Sequence, residues 1–301
     1  MLGAVNGARL LFPDFSLILC GFLLCRFTPL SRPLWEQVEK LVYFFLFPVL
    51  LFQSIMRSPL DLGADAGLVA AGLGVGLTAI ALSYACAVLP GVDRRDHAGA
   101  AQVAFRFNSF IGLALAERLG GARGLGLVAV LIGVCVPLFN VAAVWPMARH
   151  GRTHFGRALL RNPLILATGT GLAANLAGLR VPALLDPVLT RIGGTSLALG
   201  LLAAGAGLQL GSLARQRLLT TSVLAIRHLV SPLVAWTLAR LLHLDAQQAT
   251  ILLLFSALPT ASSAYVLASR MGFNGPHVAG LVTLSTLLGM ASLPFALGLL
   301  G

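Results

Sequence analysis

Residues 246–272 read Ala-Gln-Gln-Ala-Thr-Ile-Leu-Leu-Leu-Phe-Ser-Ala-Leu-Pro-Thr-Ala-Ser-Ser-Ala-Tyr-Val-Leu-Ala-Ser-Arg-Met-Gly, an apolar stretch broken near its middle at Leu258-Pro259-Thr260-Ala261-Ser262-Ser263. A hydrocarbon core is crossed by about 20 helical residues, so the stretch is long enough to span. Pro259 has no N–H, and its ring clashes with the carbonyl four residues back, so the helix opens there. In hydrocarbon an unpaired backbone group costs several kcal/mol. Such a break therefore survives only where it lines a polar cavity or is buried in protein.

About half a chain earlier, residues 98–121 form a second apolar stretch, interrupted at Phe105-Arg106-Phe107-Asn108-Ser109. Two interrupted spans in corresponding halves point to a binding site near the bilayer midplane, at the interface of internal repeats.

The rest of the chain supports a membrane reading. Of 301 residues, 57% are hydrophobic and 10% charged, with a mean hydropathy of +0.90. A soluble domain carries about 25% charged residues. Apolar stretches give ten predicted spans, near 9–26, 35–56, 66–90, 98–119, 124–147, 162–179, 190–211, 218–242, 247–270 and 276–299. The first is read as a span rather than a cleavable signal, because Arg26 and further spans follow it. The expected fold is an all-α membrane protein.

The formal net charge of +11 does not indicate nucleic-acid binding, because the basic residues are dispersed among short loops. Loops after odd-numbered spans hold twelve of them: Arg26, Arg32, Lys40, Arg94, Arg95, Arg149, Arg152, Arg157, Arg161, Arg215, Arg217 and Arg270. The beginning of the chain and the even loops hold seven, while Arg106 and Arg227 fall inside spans. The positive-inside rule then puts the odd loops in the cytoplasm and both termini outside a plasma (inner) membrane.

The basic loop 149–161 divides the spans five and five. An odd number per half makes the second half enter from the opposite face, so residues 1–148 and 162–301 are expected to be inverted five-helix repeats. At an offset of 152 residues, Leu115-Ala116, Arg118 and Gly120 match Leu267-Ala268, Arg270 and Gly272. Spans two and seven each carry a glutamine, Gln53 and Gln209. The four cysteines lie in apolar stretches without metal or disulfide spacing, and the six histidines are scattered, mostly in loops, the one pair four apart, His150 and His154, falling in the basic loop; no cofactor or metal is expected.

The segment from Ala257 through Pro259-Thr260-Ala261 to Gly275, followed by Val282-Thr-Leu-Ser-Thr286 and Leu293-Pro294, strongly resembles the auxin efflux carrier family. Asn108-Ser-Phe-Ile-Gly-Leu113, Asn162-Pro163-Leu164, Pro48 with Leu50-Leu-Phe52, and Asn140 also fit, so the resemblance covers essentially the whole chain. The resemblance places the chain with bacterial members of that family, in the superfamily of bile-acid, arsenite and riboflavin-type carriers. It implies ten spans in two inverted repeats, with discontinuous helices four and nine crossing where they unwind. It further implies transport of a small organic anion by an elevator-like movement. Spans 1, 2, 6 and 7 would form the scaffold, and spans 3–5 and 8–10 the transport domain. A homodimer through the scaffold is part of the same expectation. Two departures bear on the substrate: Ala114 stands where the family has a proline, and Ser262-Ser263 where it often has an asparagine.

The candidate substrate-binding residues are Arg106, Asn108, Ser109, Asn140, Pro259, Thr260, Ser262, Ser263 and Tyr265. A half-helix N-terminus presents free N–H groups and a positive dipole end, which suit a carboxylate; an ordinary proline kink satisfied by a serine is the alternative. Asn108 offers two donors and an acceptor, against a plain interhelical bond. Arg106 lies about eight residues into its span, roughly 12 Å deep, where a charge is costly and usually functional. It can fork onto a carboxylate; otherwise it snorkels or pairs with another helix. Arg227 and His228 pose the same question and read first as structural. Tyr265, Asn140, Gln53 and Gln209 read as pocket groups or as satisfied polar residues in packing.

All ten acidic residues lie near span ends or in loops, and none is beside either break in sequence. Without a buried relay carboxylate, the reading favours uniport or coupling through the substrate's charge, worth about 2.3 kcal/mol per charge per 100 mV. An inside-negative potential then favours anion export. The alternative is a proton- or sodium-coupled importer of dicarboxylates such as malonate. No Gly-x-Ser-x-Gly, His-Glu-x-x-His or paired intramembrane aspartates occur, so an enzyme is not expected.

Overall fold

Apolar sequence of this density satisfies its backbone by helix formation, and the computed structural model is mostly helical over the residues it describes: 2–57, 65–150, 163–207, 216–261 and 263–300. No strand occurs among them. In chain order the helices are α1 (Leu2–Phe27), α2 (Arg32–Leu41), α3 (Phe47–Met56), α4 (Ala66–Ala85), α5 (Arg94–Ala100), α6 (Ser109–His150), α7 (Pro163–Leu176), α8 (Asp186–Ala206), α9 (Arg217–Ala225), α10 (Ser231–Leu241), α11 (Ala246–Ala257), α12 (Ser263–Arg270) and α13 (Gly275–Gly298). Wide π turns, Val42–Leu46 and Ile226–Val230, join α2 to α3 and α9 to α10. Among the described residues, four stretches are long and apolar enough to cross a membrane: Ala66–Val88, Gly126–Arg149, Arg217–Leu241 and Gly275–Gly298.

Caps and turn residues set the boundaries. Asp93 accepts from the N–H groups of Arg95 and Asp96 at the start of α5. Asp245 does the same for Gln247 and Gln248 at the start of α11, where Gln248 reciprocates in a capping box. These two aspartates are 152 residues apart, the spacing at which the halves align in sequence. α6 bends at Gly121, where φ is 56° and ψ −147°, a conformation open to glycine. Arg123, just beyond the bend, pairs with Asp245 at 2.5 Å, and Gln247 donates to the Gly120 carbonyl at 2.7 Å. Backbone donation from Gln248, with Arg123 nearby, holds the Asp245 carboxyl below its usual range.

Two groupings emerge from the packing. α1 lies along α8, and α3 packs on α7 and α8. Arg57, just after α3, forks onto Asp186 at 3.1 and 2.6 Å, and Gln53 donates to Thr190 at 2.8 Å. The Arg57 hydrogen bond draws the exposed Asp186 carboxyl below its usual range. The main buried cluster comes instead from α4–α6 and α9–α13, with α11 seated among α6, α10, α4 and α13. Gln53 is thus a tie between helices; Gln209 lies outside the described residues.

Candidate functional site

The first interrupted segment runs as α5, a 3₁₀ turn at Ala101–Ala104, non-helical residues 105–108, and then α6. The second runs as α11, non-helical residues 258–261, and then α12. Both expected breaks are present, and they touch: the N–H of Asn108 donates to the carbonyl of Pro259 at 2.8 Å. Further hydrogen bonds pair other freed backbone groups at the junction, as burial demands. Thr260 donates its hydroxyl to the Val103 carbonyl at 2.7 Å, and Ser285 Oγ accepts from the Thr260 N–H at 2.9 Å. Gln102 reaches the Ala264 carbonyl at 3.1 Å, and Ser292 reaches Ala257 at 3.2 Å.

Arg227 caps the open end of α11. Its Nε donates to the Leu258 carbonyl at 2.6 Å and its Nη2 to Phe255 at 3.2 Å, with the side chain fully enclosed. Its neighbour His228 bridges Ser285 and Ser292, each at 2.8 Å. Both residues thus hold the second break in place rather than reaching toward a ligand.

Beside the breaks lies a cleft that opens to solvent. Its walls are Phe47 and Leu50 of α3; Arg106, Phe107, Asn108, Ser109 and Leu113 from the first break and the start of α6; Ile132, Val136, Phe139 and Asn140 farther along α6; Ser196, Gly200 and Leu201 of α8; and Ala261 and Ser263 from the second break. The α6 positions recur at helical spacing on one face. The cleft lies between the grouping of α3 and α8 and the helices that carry the breaks.

Arg106 is 5% exposed and does not snorkel. Its Nη2 donates to Ser263 Oγ at 2.7 Å and its Nη1 to Gln102 Oε1 at 3.2 Å. No carboxylate among the described residues pairs with it. A guanidinium has five N–H donors, and these two bonds leave donors for a guest in the cleft. Two further buried groups in the wall lack partners among the described residues, the Asn140 Nδ2 and the Ser196 hydroxyl.

The sequence-derived candidates therefore divide. Arg106, Asn108, Ser109, Asn140 and Ser263 line the cleft. Pro259 and Thr260 are engaged in joining the breaks. Tyr265 is fully buried beside α2, donating to Glu39 and accepting from Arg32, which itself pairs with Glu39 at 3.0 Å. Ser262 lies outside the described residues. Sequence reasoning placed no acid near a break; the fold brings Glu39 to the helix that follows the second one. It also passed over Gln102, whose one signal was its position four residues before Arg106, and Ser196, which carries no local signal in an apolar helix.

Residues 140–297 match a membrane transport protein family. No curated protein matches the chain. The match covers more than half of the chain, from Asn140 in the cleft wall through the second break and its supporting network, and so the chain belongs to the membrane transport protein family, that of the auxin efflux carriers, and is an integral membrane protein.

Proposed function

We propose that this protein is a secondary transporter that moves a small organic carboxylate through the cleft beside the two breaks. Arg106 carries the reading: it is a buried cation, walled by two hydrogen-bonding side chains, with no carboxylate among the described residues to neutralise it. A buried charge of this kind is costly and is retained where a substrate pairs with it. Asn108 and Ser109 sit beside it at the start of α6, whose N-terminal N–H groups favour an anion.

In this reading the chain crosses a plasma membrane ten times with both termini outside. Residues 1–148 and 162–301 are inverted repeats joined by the basic loop 149–161. The caps at Asp93 and Asp245 support the repeat, because each opens a broken segment at the same offset. The breaks cross where Asn108 meets Pro259. The helices bearing them, spans 3–5 and 8–10, slide as an elevator against a scaffold of spans 1, 2, 6 and 7. The packing of α1 and α3 on α8, and of α3 on α7, supports that division, with α1 also meeting α13 and α7 meeting α6 across the boundary, and the cleft there suits alternating access. The membrane potential would favour export of the anion.

The test is counterflow of labelled short carboxylates in proteoliposomes. Arg106→Gln and Asn108→Ala are expected to abolish flux in folded protein. Unchanged flux in both variants would sink the site assignment.

A further inference from the structure

The cleft has a second polar pole that the anion reading leaves unused. Asn140 Nδ2 on α6 and Ser196 Oγ on α8 are each enclosed, at 2% and 0% exposure, and neither has a hydrogen-bond partner among the described residues. Both residues line the cleft that holds Arg106. A buried polar atom without a partner costs about 1–3 kcal/mol, so two in one small cleft call for an explanation.

Their placement relative to Arg106 supplies it. Phe139, next to Asn140, packs its ring 5.7 Å from that of Phe105 and 6.0 Å from that of Phe107, the two residues flanking Arg106. Phe139 thus seats this turn of α6 against the first break, one residue from Asn140. Ser196 enters from α8, which belongs to the other packing group. Most of the remaining wall is apolar, and Arg106 is the one charged residue among the described lining residues.

Resting on the carboxylate reading, we propose that the substrate is a short monocarboxylate bearing a second, uncharged oxygen, as in a 2-hydroxy or 2-oxo acid, and that Asn140 and Ser196 select for it. The carboxylate lies on Arg106. The second oxygen accepts from Asn140 Nδ2, and the Ser196 hydroxyl donates to it or accepts from it. A plain carboxylate leaves both protein groups unpaired. A dicarboxylate sets a second charge between them with no second cation. Sites built to hydrogen-bond a substrate group discriminate strongly against analogues that lack it.

The experiment compares lactate, pyruvate, propionate and malonate as competitors of labelled propionate exchange in proteoliposomes. Lactate or pyruvate is expected to compete at least about tenfold better than propionate, equivalent to about 1.4 kcal/mol, and malonate no better than propionate. Asn140→Leu and Ser196→Ala are expected to bring the lactate-to-propionate ratio near one, and Ser196→Thr to keep it. Equal competition by lactate and propionate in the wild type overturns the proposal, as does stronger competition by malonate, or a ratio that survives Asn140→Leu and Ser196→Ala. Propionate exchange that depends on Arg106, with no preference for lactate, overturns this inference alone. Absence of any carboxylate exchange overturns the carboxylate reading and this inference with it.

Discussion

The backbone N–H of Asn108 donates to the carbonyl of Pro259 at 2.8 Å, so two helix breaks about 150 residues apart share one hydrogen bond. Each break thereby supplies part of what the other lost. Arg106 and Ser263, flanking this junction, are bonded side chain to side chain at 2.7 Å and face the same cleft. The two segments form one local structure around a buried cation.

Arg106 and Arg227 are both buried, yet substitution should separate them. Arg106 sits without a carboxylate partner among the described residues, so Arg106→Met removes an uncompensated buried charge, whose desolvation cost offsets the bonds lost to Ser263 and Gln102. Arg106→Met should hold or raise the melting temperature in detergent while exchange is lost. A marked fall in melting temperature would show that Arg106 is structural.

Arg227→Met should do the reverse. It orphans the carbonyls of Leu258 and Phe255, at about 1–3 kcal/mol each. The melting temperature should drop by several degrees, and Arg227→Lys should recover part of the loss. Full stability of Arg227→Met would remove its role as a cap for α11.

Thr260 joins three elements through one hydroxyl and one N–H: Val103 in the first segment, its own break, and Ser285 of α13. Thr260→Val keeps the shape and removes the hydroxyl, leaving the Val103 carbonyl unpaired. A loss of about 1–3 kcal/mol is expected, read as a lower melting temperature, with Thr260→Ser close to wild type.

Gly289 in α13 lies under the ring of Pro259, where an added Cβ would stand 2.7 Å from Cγ. The neighbour is a rigid ring rather than a flexible side-chain tip. Gly289→Ala should therefore push the second break away and destabilise by about 1–3 kcal/mol. A smaller cyclic side chain is unavailable, so compensation by repacking is limited. Wild-type melting would show that the break yields readily.

Asp245 and Asp186 set an acid limit on stability. Donation from Gln248 lowers the first and from Arg57 the second. A carboxylate lowered by folding contributes stability above its unfolded value, about 3.9 for aspartate, and loses it as pH falls through the lower folded value. Melting temperature should thus fall on acidification below about pH 4. Asp245→Asn should start lower near neutrality and lose less on acidification. An identical acid slope in the variant would refute the contribution.

Much of this was legible in the residues because its causes are local. Pro259 opens a helix by its own covalent structure, and the run 105–109 shows polar residues in an apolar stretch. Both breaks appear within a residue or two of where the sequence puts them. The offset of 152 residues, read from four weak matches, recurs as two aspartate caps that open the broken segments. Arg106 was visible as a charge in a span. Its partners Gln102 and Ser263 were not: one lies a helical turn away among apolar residues, and the other comes from the far half of the chain.

The sequence alone determined that the chain is an apolar helical protein with two interrupted segments, because composition and helix-breaking are properties of neighbouring residues. Only the tertiary structure decided what the interruptions do. It gave Thr260, Arg227 and His228 to the support of the breaks, brought Glu39 to Tyr265, and left Arg106, Asn140 and Ser196 facing one cleft. The physical reason is that a buried polar group's role depends on whether another group is within hydrogen-bond reach, and that distance is set by packing between segments far apart in the chain.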